Sequence, residues 1–299
     1  MREEDRRRLG IRSLSWLAIA TTGCGHVDFE PSPQACTEFG AWSSPAPLAP
    51  AINSSPRTWG GQISPDGLAL YYSAETAAGQ RTFVAERASR SDAFASSQPT
   101  NVAIAAGDDD DDPSLTGDQL EMWFDRSTQA DAGRLYSTTR TAIGQAWSDP
   151  VVQDGIDNNG VTDAPWISLD GLSVYYTDVD SYTIRMQTRA SRSDTFSGGG
   201  QLVPLAIAAN VGTAWLSADQ LAVTFQATTG AGGKDQLWTA ERQTIADGFG
   251  DPVQIPGIGA TGADDVDPSL TGDGLELYFA SDRSDGTTFE IYVATRTCQ

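Results

Sequence analysis

Five segments of this chain align on one aspartate: Asp66, Asp118, Asp170, Asp219 and Asp273, at spacings of 52, 52, 49 and 54 residues. Two positions earlier stands a hydroxyl residue (Ser64, Thr116, Ser168, Ser217, Thr271), and two positions later a leucine (Leu68, Leu120, Leu172, Leu221, Leu275). Six positions after the anchor comes an aromatic: Tyr72, Phe124, Tyr176, Phe225 or Phe279. Repetition at about 50 residues with strand-like patterning restricts a chain to a propeller or a related array. The local chemistry is that of a β-hairpin. Ser, Thr and Asp side chains bond nearby backbone, and Gly67, Gly171 and Gly274 after the anchor tolerate positive φ. Leu275, Leu277 and Phe279 then alternate as one face of the returning strand.

A third strand in each copy ends in arginine: Arg87, Arg140, Arg189, Arg242 and Arg296. A fourth opens with an aromatic: Phe94, Trp147, Phe196 and Phe249. Four antiparallel strands per repeat make a propeller blade. The expected fold is therefore all-β, a five-bladed β-propeller of four-stranded antiparallel blades. The fifth copy carries no fourth strand, but residues 39–48 have its pattern, with Trp42 in the aromatic place. An N-terminal strand is thus expected to complete the last blade and close the ring, since an open array leaves two bare edges. Closure would bring Cys36 and Cys298 onto adjacent strands and predicts a disulfide, as an oxidising compartment permits.

The turn SPDG at 64–67 and the run YFASDRSDGTTFEIYVATR at 278–296 resemble the TolB-type, WD40-like propeller repeat of bacterial envelope proteins. The resemblance covers about residues 39–297. It implies a propeller with a binding role and no single activity. Two features depart from it: five blades where such rings usually have six, and Gln119 and Gln220 where the signature has Gly.

Residues 1–23 combine five arginines with a short apolar run that ends at Cys24. This reads as a lipoprotein-type signal peptide, with Cys24 lipidated and residues 24–38 a tether to a propeller spanning 39–299. The expected location is the cell envelope, lipid-anchored, at the outer membrane and facing either the periplasm or the surface, with membrane contact only through the anchor. The chain has 19 basic against 40 acidic residues, a net charge of −21. Such a balance excludes nucleic acid as a partner, because nothing would neutralise phosphates.

Within each blade, the anchor Asp and the terminal Arg fall on the same side of the ring. They are expected to pair as structural ties: Asp66 with Arg87, Asp118 with Arg140, Asp170 with Arg189, Asp219 with Arg242 and Asp273 with Arg296. The opposite, top face receives the crossovers between blades. Three of these are acidic: Asp108 to Asp112, then Asp154, Asp157 and Asp163, then Asp264, Asp265 and Asp267. Trp166 and Trp215 stand on the innermost strands beside them. Clustered Asp supplies the hard oxygen ligands of calcium, so Asp110, Asp112, Asp163, Asp265 and Asp267 form a candidate Ca²⁺ set. Other metals fit less well, since the only histidine is His26, ahead of the repeats. The same acids read equally as solvated loops. The chain is read as a monomeric, non-catalytic binding or scaffold surface for a protein or an envelope glycan. The competing reading is a carbohydrate-active hydrolase using top-face carboxylates.

Overall fold

The computed structural model describes Cys36 and residues 38–130, 132–156, 160–229 and 233–299. Cys24 and the expected signal peptide lie outside the described residues. Among the described residues, twenty strands form five four-stranded antiparallel sheets, one per repeat. Blade 1 holds β2 (Thr58–Ile63), β3 (Ala69–Thr76), β4 (Gly79–Glu86) and β5 (Ser97–Pro99). Blade 2 holds β6 (Asp109–Leu115), β7 (Glu121–Ser127), β8 (Arg134–Thr139) and β9 (Val151–Val152). Blade 3 holds β10 (Thr162–Ile167), β11 (Ser173–Asp178), β12 (Thr183–Thr188) and β13 (Gln201–Leu202). Blade 4 holds β14 (Asn210–Leu216), β15 (Ala222–Thr228), β16 (Asp235–Glu241) and β17 (Val253–Gln254). Blade 5 holds β18 (Asp265–Leu270), β19 (Glu276–Ser281) and β20 (Glu290–Thr295), and its outer strand is β1 (Ala46–Pro47) from the other end of the chain. The ring closes as the repeat pattern requires. Ala46 pairs with Val293 and Pro47 with Tyr292. Phe39 bridges Cys298, and a disulfide joins Cys36 to Cys298.

The core lies between blades. Trp123 of blade 2 packs with Ile167, Val174, Tyr176 and Phe196 of blade 3, and each junction has a comparable cluster. The aromatics six positions after the anchors are all buried there. This is why they recur: stacking buries a face that no single blade covers.

The turns on the bottom face follow one rule. Each anchor Asp accepts from the hydroxyl two positions before it and from the Leu amide two positions after it, as Asp66 does from Ser64 and Leu68 at 2.6 and 3.0 Å. The expected Asp–Arg ties within a blade are corrected by this geometry. The anchor carboxylate is turned into its own hairpin. The Arg Nε instead donates to the carbonyl of the next residue: Arg87 to Gly67, Arg140 to Gln119, Arg189 to Gly171, Arg242 to Gln220 and Arg296 to Gly274. Each guanidinium also lies over the aromatic of the fourth strand, from Phe94 to Phe249, or in the last blade over Phe39 and Trp42. Hence Asp66–Arg87, Asp118–Arg140, Asp170–Arg189, Asp219–Arg242 and Asp273–Arg296 are neighbours joined through backbone rather than ion pairs.

Carboxylate partners come from the next blade around. Arg189 and Arg192 of blade 3 both bond Glu121 of blade 2, and Arg192 also bonds Asp118. Arg87 and Arg90 of blade 1 bond Glu276 of blade 5, and Arg90 also bonds Asp273.

Candidate metal centre

The top of the ring is shaped by a recurrent irregularity of the innermost strands. In every blade the pairing of the first two strands shifts register near the top. Gly60, Asp112, Ala164 and Asp267 occupy the shift with positive φ of 54°, 47°, 49° and 53°. An extra residue at such a bulge redirects the side chains beside it. It also explains Pro113, Pro165 and Pro268, since a bulge tolerates a missing ladder donor.

The bulge in β6 sorts the five consecutive aspartates. Asp110 faces Arg126 across the hairpin and binds it through both oxygens, at 2.6 and 2.9 Å. Asp111 stands directly opposite Asp125 of β7. Directly opposed residues share a face, and like charges there repel. Asp112 then contributes a carboxylate oxygen within 4.8 Å of oxygens on Asp125 and on Asp163 of β10. Two strands of blade 2 and one of blade 3 thus converge on one point.

Of the candidate calcium set, Asp112 and Asp163 meet here. Asp267, from blade 5, lies close enough to raise the pKa of Asp112. Its own oxygens accept from Gly60 N–H at 3.0 Å and from the Thr213 hydroxyl at 2.8 Å. The placement of Asp110 and Asp265 is corrected. Asp110 is committed to Arg126, and Asp265 is fully buried against Arg283 at 2.6 Å. Both point to the other face of their strands.

The sequence reading missed Asp125. It sits seven positions after its anchor, where the other blades have Ser73, Thr177, Gln226 and Ala280. A lone acid at a position that strand alternation buries was the available signal.

The electrostatics follow from the crowding. Burial, then the nearby charges of Asp267 and Asp163, pushes Asp111 up to about 7. Burial first, and Asp163 among its neighbours, raises Asp267 to about 6. Asp112 and Asp125 are driven well above the ordinary carboxylate range by burial and by the surrounding carboxylates. Beside the cluster lies a small cavity of about 30 Å³, bounded by Asp112, Asp267, Pro113, Trp166 and Trp215 among others. Trp166 is 4 % exposed and packs edge-on against Tyr175, so it offers no open face. Deeper in, inner-strand side chains cap the amides of the next blade. Gln62 accepts from Leu115, Ser114 from Ile167 and Ser269 from Ile63.

No family model matches this chain, and no curated relative does. Solved structures do match it. An α-L-arabinofuranosidase from Podospora anserina, solved with cellotriose, superposes with a TM-score of 0.60 at 13 % identity, over 87 % of this chain and 97 % of that one. TolB from Acinetobacter baumannii gives 0.50 at 14 % identity, over 80 % of this chain. The match spans only 54 % of the TolB chain. A calcium-binding protein, regucalcin, from Agrobacterium tumefaciens gives 0.51 at 9 % identity, over 86 % and 95 %. At these identities the likeness is one of fold. The propeller fold is shared by proteins of unlike function.

Proposed function

We propose that this chain is a non-catalytic propeller of the bacterial cell envelope that presents its acidic top face to a protein or an envelope glycan. The observation that carries this reading is the packing of the mouth carboxylates. Glycoside hydrolysis needs one protonated and one ionised carboxyl flanking a sugar, about 5–10 Å apart. Asp112, Asp125 and Asp163 converge within 4.8 Å of one another on rigid strands. No sugar ring fits between them, and Trp166 is buried rather than free to stack on one. This packing supports the binding reading over a hydrolytic one. The Cys36–Cys298 disulfide supports export to an oxidising compartment. Lipidation of Cys24 belongs to the same reading and is tested by palmitate labelling of wild type and Cys24→Ser.

The decisive experiment has two arms. Purified protein is incubated with arabinan, xylan and peptidoglycan, and released sugar is measured. No release is expected, and release abolished by Asp112→Asn would overturn the reading. In the second arm, wild type and Asp112→Asn/Asp163→Asn are immobilised alike and exposed to solubilised envelope. A component held by wild type and lost by the variant is the expected result. Identical retention by both would remove the top face from the proposal.

A further inference from the structure

We propose that Asp112, Asp125 and Asp163 form a binding site for a hard divalent cation of the calcium class, at the junction of blades 2 and 3. Convergence of three carboxylates is the first observation. The second is a set of buried oxygens with nothing to bond. Asp125 is 7 % exposed, and its Oδ1 has no hydrogen-bond partner. Thr177 is 4 % exposed, and its hydroxyl oxygen likewise has none. Thr177 is the cross-strand partner of Asp163, so it faces the same side of blade 3. Buried polar atoms are normally satisfied, and an unpaired one calls for an explanation such as an ion.

Protein cations do not supply that explanation. Arg126 on β7 is consumed by Asp110, and Arg283 by Asp265. Among the described residues, none of the three carboxylates takes part in an ion pair. Among the described residues the donor set is oxygen only, with neither histidine nor thiol in it, which selects calcium, magnesium or manganese over zinc or copper. Calcium prefers several carboxylate ligands at about 2.3–2.6 Å, so that opposite ligands lie about 5 Å apart. The 4.8 Å grouping suits that span. Magnesium instead keeps most of its waters and takes one or two carboxylates. The surplus charge of Asp111 and Asp267 adds long-range attraction without needing direct ligation. The site is open on one side, because Asp112 and Asp163 are only half-buried. A bound cation would tie β6 and β7 to β10 and hold the mouth in one shape.

The exported full chain is melted in EDTA and then in millimolar Ca²⁺, Mg²⁺ or Mn²⁺, with calorimetric titration for stoichiometry. Calcium is expected to bind once per chain and to raise the melting midpoint by roughly 5 °C or more at saturating concentration. Magnesium is expected to give a smaller rise. Asp125→Asn and Asp163→Asn should each abolish the calcium shift while melting no lower than wild type in EDTA, since each removes a repelled charge. Asp251→Asn, an exposed acid away from the mouth, should keep the full shift. Thr177→Val serves where an Asp variant fails to fold, and should weaken calcium binding about tenfold. Absence of both heat and midpoint shift with all three cations overturns the proposal. So does a shift of equal size in Asp125→Asn and Asp163→Asn. The proposal stands apart from the binding reading. A cation bound with no envelope partner retained upholds the site alone, and a partner retained equally in EDTA upholds the binding reading alone.

Discussion

The Tyr71 hydroxyl of blade 1 donates to the side-chain oxygen of Gln119 in blade 2 at 3.0 Å, and Arg140 donates to the same hydroxyl at 3.0 Å. Tyr175, Gln220 and Arg242 repeat the arrangement between blades 3 and 4. This accounts for the two turns that have Gln where the signature has Gly. Gln119 and Gln220 take φ of 57° and 60°, close to the 75° of Gly171. A non-glycine residue there is strained, and the bond to the neighbouring blade offsets the cost. Junctions 2/3 and 5/1 use glutamate and paired arginines instead. Blade 4 has Ala222 where blades 2 and 5 have Glu121 and Glu276, so Arg296 of blade 5 meets no such acid. Burial draws its guanidinium down to about 10.

Tyr71→Phe is expected to destabilise the fold by about 1–3 kcal/mol, because it leaves Gln119 and Arg140 short of a partner in a buried junction. Urea denaturation checks this through a lower midpoint at unchanged slope.

Glu121 accepts from Arg189 at 2.8 Å through both oxygens, from Arg192 at 3.1 Å and from the Trp123 indole at 2.9 Å. Glu121→Ala strands the buried Arg189 guanidinium, whereas Arg192 keeps Asp118. A loss of about 3–5 kcal/mol is expected by analogy with broken buried pairs. An equilibrium melt that moved by less than a degree would contradict it.

The cation-free protein should gain stability as pH falls from about 8 to about 5.5. Asp111 and Asp267 have folded pKa values raised to about 7 and about 6 by burial and neighbouring charge. A carboxyl with a raised folded pKa costs stability above that pKa, and the cost is relieved as pH falls through it. Asp118 and Asp273 act oppositely at lower pH. Burial raises both, but bonds from Arg192 and Arg90 and from their own turns outweigh it and leave them below the ordinary range. Their contribution is present at neutral pH and lost in acid. Urea midpoints in EDTA across this range should therefore rise and then fall, and saturating calcium should flatten the rise.

Replacing Cys36 and Cys298 with Ser opens a loop whose ends are 262 residues apart in sequence. Chain entropy puts the loss at up to about 5 kcal/mol. The variant should melt lower than the oxidised wild type and match the wild type assayed in reductant.

Much of the architecture is legible in the repeats. The hydroxyl–x–Asp turn, the Leu and the aromatic recur because each blade faces the same packing problem, so alignment alone places every hairpin. Closure through residues 39–48 follows from the pattern absent after Arg296. The arginines are placed correctly by the same logic, but their bonding is not. A carboxylate two residues from a hydroxyl satisfies itself locally, and in the folded turn the guanidinium is left to the next carbonyl.

The sequence by itself determined the blade number, the strand order, the closing strand and the disulfide, since these depend on periodic burial and on where a strand is lacking. The tertiary structure decided which aspartates meet. Side chains in a strand change face at every residue, and a run of five aspartates carries no mark of its phase. The bulge at Asp112 sets that phase. It sends Asp110 to Arg126, sets Asp111 against Asp125, and brings Asp112 to Asp163 across a blade boundary that no spacing in the chain reveals.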